Sequence, residues 1–311
     1  MKGVVTKSTG SWYTVRLEND EQIEARMKGK FRLKGIRTTN PIAVGDHVSL
    51  SEEEDGTAVI TAIAPRKNYI IRKSINLSKR SHIIAANIDQ AILIVTLTQP
   101  KTYTAFIDRF IVTAEAYHIP TVLVFNKMDI YTESEKKELT FLKNAYEKIG
   151  YQCLTISATK NKNITAVKEL MKGKVSMVSG HSGVGKTTLL NTIEPELNLK
   201  TNTISETHQV GKHTTTFAEM FELSFGGYII DTPGIKAFGL IDFDKAELSH
   251  YFLEMRARLT NCQFNNCLHI NEPKCAVKEA LANQEIEEFR YLNYLSMYND
   301  DEDENYRPKG Y

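Results

Sequence analysis

Cysteine is scarce in this chain, with four in 311 residues. That is too few for the disulfide framework of a small secreted protein. Net charge is scarce too. Lys and Arg number 39 against 38 Asp and Glu, a formal charge of +1, so whole-chain electrostatics select no partner of either sign. Apolar runs long enough to cross a bilayer are missing, which excludes spanning helices. Met1-Lys2-Gly3-Val4-Val5 enters an alternating strand pattern directly and lacks the apolar core of a signal peptide. No internal repeat is evident. The expectation is a cytoplasmic protein of two or three domains, free of the membrane, with apolar content sufficient for real cores.

What is present is organised around Gly180-His181-Ser182-Gly183-Val184-Gly185-Lys186-Thr187, which fits G-x-x-x-x-G-K-[ST]. Val175-Ser176-Met177-Val178-Ser179 before it reads as a buried strand, and Thr188-Leu189-Leu190-Asn191-Thr192-Ile193 after it as the first turns of a helix. Glycines let such a loop curl and aim its N–H groups at phosphate oxygens, and the helix start adds positive dipole character. Residues 180–188 are therefore candidate nucleotide contacts. Lys186 is expected on the β- and γ-phosphates, the Thr187 hydroxyl on Mg²⁺, and Thr188 beside it.

Two further loops name the base. Asn126-Lys127-Met128-Asp129 follows the apolar run Thr121-Val122-Leu123-Val124-Phe125, where open α/β sheets bind ligands. A carboxylate at Asp129 can accept from guanine N1–H and the exocyclic amine, a donor pair adenine lacks. Asn126 can meet the N7/O6 edge, and Lys127 can lie over the base. Ser157-Ala158-Thr159 is the expected companion, with N–H groups for guanine O6.

Asp231-Thr232-Pro233-Gly234 ends the strand-like Tyr228-Ile229-Ile230. Asp231 is expected to hold Mg²⁺ through water, and the Gly234 N–H to sense the γ-phosphate. Between these motifs lies Gly211-Lys212-His213-Thr214-Thr215-Thr216. It is either a threonine switch, with Thr215 the candidate for Mg²⁺, or a Thr-rich loop entering a strand. Ordinary GTPases run phosphate loop, threonine switch, D-x-x-G, N-K-x-D, S-A. Here the last two come first, which is a circular permutation. It places D-x-x-G directly before the C-terminal segment, so a nucleotide-driven movement would pull on that segment through the chain.

The flanks differ in character. Residues 1–65 alternate in short runs separated by Asn19-Asp20, Asn40-Pro41, Gly45-Asp46 and Asp55-Gly56, which predicts a small barrel of the OB type. Lys28, Lys30, Arg32, Lys34 and Arg37 around Phe31 suit either an oligonucleotide surface or a solvated loop. Arg66, Lys67, Arg72, Lys73, Lys79 and Arg80 read as a basic linker, facing phosphate backbone or simply solvent. From His82 the pattern alternates strand and helix, predicting a mostly parallel sheet covered on both faces. Helical spacing then predicts one helix over 248–259 and another over 277–298, followed by an acidic tail. Between the two helices, Cys262, Cys267, His269 and Cys275 form C-x₄-C-x-H-x₅-C. Three thiolates and an imidazole make a closed structural Zn²⁺ site. Cys153 falls in a core strand and is expected to be inert.

These motifs, in this order, resemble the ribosome small subunit-dependent GTPase A family (RsgA, also called YjeQ or YloQ), over essentially the whole chain. The resemblance implies a multidomain α/β protein. An OB-fold barrel would span 1–68, a circularly permuted P-loop GTPase domain 69–238, and an α-helical zinc-binding domain 239–311. It implies a monomeric late-assembly factor of the 30S ribosomal subunit that contacts 16S rRNA near the decoding centre. Such a protein binds GTP and GDP with Mg²⁺, hydrolyses GTP faster when the subunit is present, and leaves on hydrolysis. Family members lack a water-orienting Gln after D-x-x-G. Ile235 stands there, and the proposed substitute in the threonine switch maps to His213, joining Lys186 as a catalytic candidate. Gly183 stands where some potassium-using GTPases place Asn, which leaves a monovalent-cation requirement open. The competing readings are a P-loop ATPase or small-molecule kinase, against which Asn126 and Asp129 argue, and an RNA-binding module that uses nucleotide only as a clamp.

Overall fold

The computed structural model describes residues 1–27, 41–53, 57–73, 81–198, 218–231 and 244–299. The basic residues around Phe31, the 74–80 segment, the threonine switch with His213 and Thr215, the 232–243 segment with Gly234, and the acidic tail lie outside them.

Alternating sequence at the N-terminus gives β1 (Lys2–Ser8), β2 (Trp12–Leu17), β3 (Gln22–Met27), β4 (His47–Glu52) and β5 (Ala58–Ile63). They hydrogen-bond in the order β1-β2-β3-β5-β4 and close through β1–β4. The β3–β5 pair is parallel and the other barrel pairs antiparallel. Side chains alternate across a strand, so every second residue points inward. Val5, Tyr13, Val15, Ala25, Val48 and Ile60 fill the interior of this closed OB-type barrel.

Residues 69–73 of the predicted basic linker form a strand. β6 (Tyr69–Lys73) pairs antiparallel with β7 (Ser81–Ala86). Arg66 is no phosphate contact either. Its guanidinium lies against the buried Asp46 carboxylate at 2.5 and 2.6 Å and donates to the Pro41 carbonyl at 2.6 Å. Lys67 pairs with Asp89. The positive charges dominated the one-dimensional pattern, whereas Ile70 and Ile83 between them supply the buried face. This strand pair docks onto the barrel through the Ala86 N–H on the Val44 carbonyl (2.8 Å) and Asn87 on the Gly45 carbonyl (2.9 Å).

The central domain follows the predicted alternation: β8 (Gln90–Val95), α1 (Thr104–Ala116), β9 (Thr121–Phe125), α2 (Glu133–Ile149), β10 (Gln152–Thr155), α3 (Ile164–Met171), β11 (Val175–Ser179), α4 (Lys186–Ile193), β12 (Glu219–Glu222) and β13 (Tyr228–Asp231). The strand order is β10-β9-β8-β11-β13-β12, parallel except for β12. β8 and β9 are buried on both faces, which is why they read as unbroken apolar runs. Leu93, Val95, Leu123 and Phe125 face one core with α1 and α2, while Ile92, Ile94, Val122 and Val124 face another with α3 and α4. The chain leaves β8 for β9 and β10, then returns to β11 on the other side of β8. That reversal opens a crevice at the carboxyl ends of β8 and β11, the usual ligand position in such sheets. At the far edge β12 meets β1 through Lys7 opposite Glu219, so barrel and central sheet are continuous.

The C-terminal part is more broken than helical spacing predicts. Instead of one helix over 248–259 there are a 3₁₀ turn, Leu248–Tyr251, and a single α-helical turn, α5 (Leu253–Arg256). Between them Phe252 is extended and fully buried, packing edge-on against Tyr294 at 5.5 Å. Instead of one helix over 277–298 there are α6 (Ala276–Ala282) and α7 (Glu288–Asn299). Gln284 takes a left-handed φ of +61°, which ends α6. Among the described residues no helix is long and apolar enough to cross a membrane.

Candidate nucleotide site and metal centre

The phosphate loop leaves β11 and turns into α4 through Gly185, whose φ is +94°. A Cβ there would lie 2.5 Å from Asn126 Nδ2. Glycine is therefore required both by conformation and by how closely the next loop approaches. That next loop is Asn126-Lys127-Met128-Asp129. The Asn126 amide donates to the Val184 carbonyl at 2.9 Å, and its Oδ1 accepts from the Ala158 N–H at 3.1 Å. One buried side chain thus ties the phosphate loop to the Ser157-Ala158 loop. Lys127 Nζ donates to the Gly183 carbonyl at 2.7 Å and to the Gln99 carbonyl, and its partial burial lowers its pKa.

Asp129 is exposed at the mouth of this cluster. A hydrogen bond from the Ser157 hydroxyl, opposed by desolvation, holds its carboxyl below the usual range, so it stays an ionised acceptor. Lys186 Nζ donates to the carbonyls of Gly180 and His181, the latter at 2.7 Å, and burial lowers its pKa. Ser182 and Gly183 are exposed, and Thr187 and Thr188 occupy the first turn of α4. Asp231 follows the Met177–Ile230 pair, which puts its backbone at the carboxyl end of the strand beside β11.

Three further contacts were not evident in the sequence. Phe106, on α1, stacks on His181 with ring centroids 3.7 Å apart. The loop between β8 and α1 abuts the phosphate loop, with Pro100 Cδ 3.3 Å from where a Cβ on Gly183 would sit. The Tyr131 phenol bridges the ends of β8 and β9. Pro100 and Tyr131 follow buried strands and Phe106 falls in an apolar helical stripe, signals that specify none of these contacts.

Across the molecule, the ligand atoms of Cys262, Cys267, His269 and Cys275 all lie within 4.8 Å of one another, and all four residues are buried. His269 Nδ1 faces the sulfurs of Cys275 at 3.3 Å and Cys262 at 3.7 Å. A tetrahedral ion with thiolate and imidazole ligands separates its donors by about 3.5–3.8 Å, so the donor set fits one metal ion. His269 takes φ +62°, and its carbonyl accepts from the Tyr291 hydroxyl at 2.6 Å. The Glu272 carboxylate accepts the N–H groups of Leu268, Ile270 and Asn271 at 2.8–3.1 Å, which shapes the loop around the imidazole.

Comparison with known proteins matches this arrangement. The family model of the RsgA GTPase covers residues 63–241, and that of the RsgA N-terminal domain covers residues 2–60. The chain is 56% identical to the small ribosomal subunit biogenesis GTPase RsgA of Christiangramia forsetii, over 100% of this chain and 99% of that one. It is 52% identical to the protein of that name from Bacteroides fragilis, over 99% of each. Among solved structures it resembles YjeQ from Thermotoga maritima, at TM-score 0.77 and 38% identity over 96% of both chains. It also resembles YloQ, described as a circularly permuted GTPase, at TM-score 0.75 and 29% identity over 96% of this chain and 93% of that one. The guanine-type loop precedes the phosphate loop here yet folds directly onto it. With that permuted order and full-length similarity of this degree, the chain belongs to the RsgA GTPase family.

Proposed function

We propose that this protein hydrolyses GTP to GDP and phosphate in the late maturation of the 30S ribosomal subunit. The observation that carries this reading is the Asn126 amide, which joins the base-reading and phosphate-binding loops in one crevice. Asp129 reads guanine N1–H and the exocyclic amine, Ser157 keeps it ionised, and backbone N–H groups of the Ser157-Ala158-Thr159 loop meet O6. Lys127 braces the base platform against Gly183. Lys186 exchanges its loop carbonyls for the β- and γ-phosphates, while residues 180–188 supply N–H groups and the Thr187 and Thr188 hydroxyls. Bound Mg²⁺ neutralises phosphate charge. Thr187, Thr215 and, through water, Asp231 are its proposed holders. The Gly234 N–H senses the γ-phosphate and His213 orients the attacking water. Cys262, Cys267, His269 and Cys275 hold one structural Zn²⁺. The domains are 1–68, 69–238 and 239–311, the first boundary supported by the barrel's last strand ending at Ile63. The protein acts as a cytoplasmic monomer, with Lys28, Lys30, Arg32, Lys34 and Arg37 of the barrel meeting 16S rRNA.

Steady-state GTP turnover, with and without purified small subunits, tests the proposal. Multiple turnovers stimulated by the subunit are expected. Equal affinity for ATP and GTP would refute the base reading, and a single turnover without recycling would favour the nucleotide-clamp alternative. Replacing Asp129 with Asn should shift preference from GTP toward xanthosine triphosphate by about 10- to 100-fold. The His213→Ala variant should lose stimulated turnover and still bind GTP.

A further inference from the structure

Pairing between β8 and β9 stops at Val95 and Phe125, with one more bond from the Asn126 N–H to the Val95 carbonyl. Beyond that point the chains diverge, and Lys127 turns through a left-handed φ of +65°. Two backbone groups are thereby left buried without a strand partner, the Leu97 N–H and the Asn126 carbonyl. Tyr131 answers both. Its hydroxyl accepts from the Leu97 N–H at 3.1 Å and donates to the Asn126 carbonyl at 2.5 Å. Leu97 opens the loop whose Gln99 carbonyl receives Lys127 Nζ, and Asn126 carries the amide that meets Val184. A single phenol therefore holds both backbone segments that flank Lys127.

We infer that Tyr131 is a positioning residue for guanine recognition, setting the spacing between Asn126, Lys127 and the phosphate loop. Burial pushes its phenol up to about 12, so it remains a donor throughout the physiological range. The inference rests on the guanine site proposed above and adds a residue outside the N-K-x-D motif. Loss of the hydroxyl strands a buried carbonyl and a buried N–H. The backbone then relaxes at the place where base and lysine must align. Asp129, Lys186 and the phosphate loop keep their chemistry, so the defect belongs in binding and not in the chemical step.

The test is Tyr131→Phe in the full-length, metal-loaded protein, with Tyr117→Phe as control. The Tyr117 hydroxyl donates to the Ile71 carbonyl at 3.2 Å, away from the nucleotide loops. Titration with a fluorescent GDP should show affinity about tenfold weaker for Y131F and unchanged for Y117F. KM for GTP should rise to match, with kcat within about twofold of the parent. If Y131F is not folded at 25 °C by circular dichroism, the titrations are run at 10 °C with trimethylamine oxide, which favours the folded state, against the same tenfold criterion. GDP binding by Y131F within twofold of the parent overturns the inference, as does an equal loss in Y117F. A parent protein that takes ATP as tightly as GTP instead refutes the guanine reading itself.

Discussion

Gly185 has its backbone in a conformation that L side chains rarely adopt, and Asn126 Nδ2 occupies the space where a Cβ would go. Substituting Ala adds backbone strain and pushes Asn126 off Val184. The two effects together are expected to cost about 1–3 kcal/mol of stability. Urea unfolding should show that loss, and GDP titration should show a parallel fall in affinity. A Gly185→Ala protein with parental GDP affinity would mean that Asn126 is not the tie between the two loops. By contrast Gly150, the left-handed cap of α2, has nothing within 4 Å of its Cβ position, so a substitution there meets only backbone strain.

Among the elements, α2 forms for reasons contained within itself. Thr132 accepts from the Glu135 N–H, and the Glu135 carboxylate accepts from the Thr132 N–H at 2.7 Å, a complete capping box. Gly150 closes the other end. Thr132→Ala should lower stability by about 1 kcal/mol, read as a shift in the urea midpoint at constant slope. The Thr132 backbone N–H, then its hydroxyl, holds the Glu135 carboxyl below its ordinary range. A depressed carboxylate stabilises the fold above its unfolded pKa and loses that contribution as pH falls through its folded one. The gap between parent and Glu135→Gln should therefore close on acidification. The break at Phe252 is the opposite case, since it answers to what that ring packs against, whereas the break at Gln284 is a left-handed turn of exposed backbone.

At the scale of the whole molecule, Arg290 is the junction. It is fully buried on α7, donates to Asp108 of α1 at 2.5 Å and to Glu254 of α5 at 2.7 and 3.1 Å, and lies 4.7 Å from the centre of the Phe252 ring. Asp108 is held as well by Tyr146 at 2.7 Å and Asn293 at 2.6 Å. Arg290→Met leaves two buried carboxylates without their cation, expected to cost about 3–5 kcal/mol. Thermal unfolding of the full chain should show it. Because α1 also bears Phe106 on His181, the helix that anchors the C-terminal domain reaches the phosphate loop. Metal removal acts on the same domain. A zinc-selective chelator should lower the melting temperature, and Zn²⁺ but not Mg²⁺ should restore it. An unchanged melting curve would refute a structural ion.

Local structure was legible in the sequence because its causes are local. Strand, glycine loop and helix around Lys186 are contiguous, as are the apolar run before Asn126, the alternation of the barrel strands and the clustered cysteines. Each motif declares itself within one short stretch of chain. Contacts between distant residues were not legible, since burial is a property of the packed chain. Arg66 looked like a solvated cation, and only the barrel's approach turned it into the partner of Asp46. Asp108 and Arg290, 182 residues apart, carry no mark of their pairing. Tyr131 reads as an ordinary residue until β8 and β9 end side by side with two backbone groups to satisfy. The candidates for holding phosphate, guanine and metal were readable from contiguous residues alone. The tertiary structure alone decided how those loops are held together, because orphaned polar groups and buried charges exist only once the sheet order brings their elements into contact.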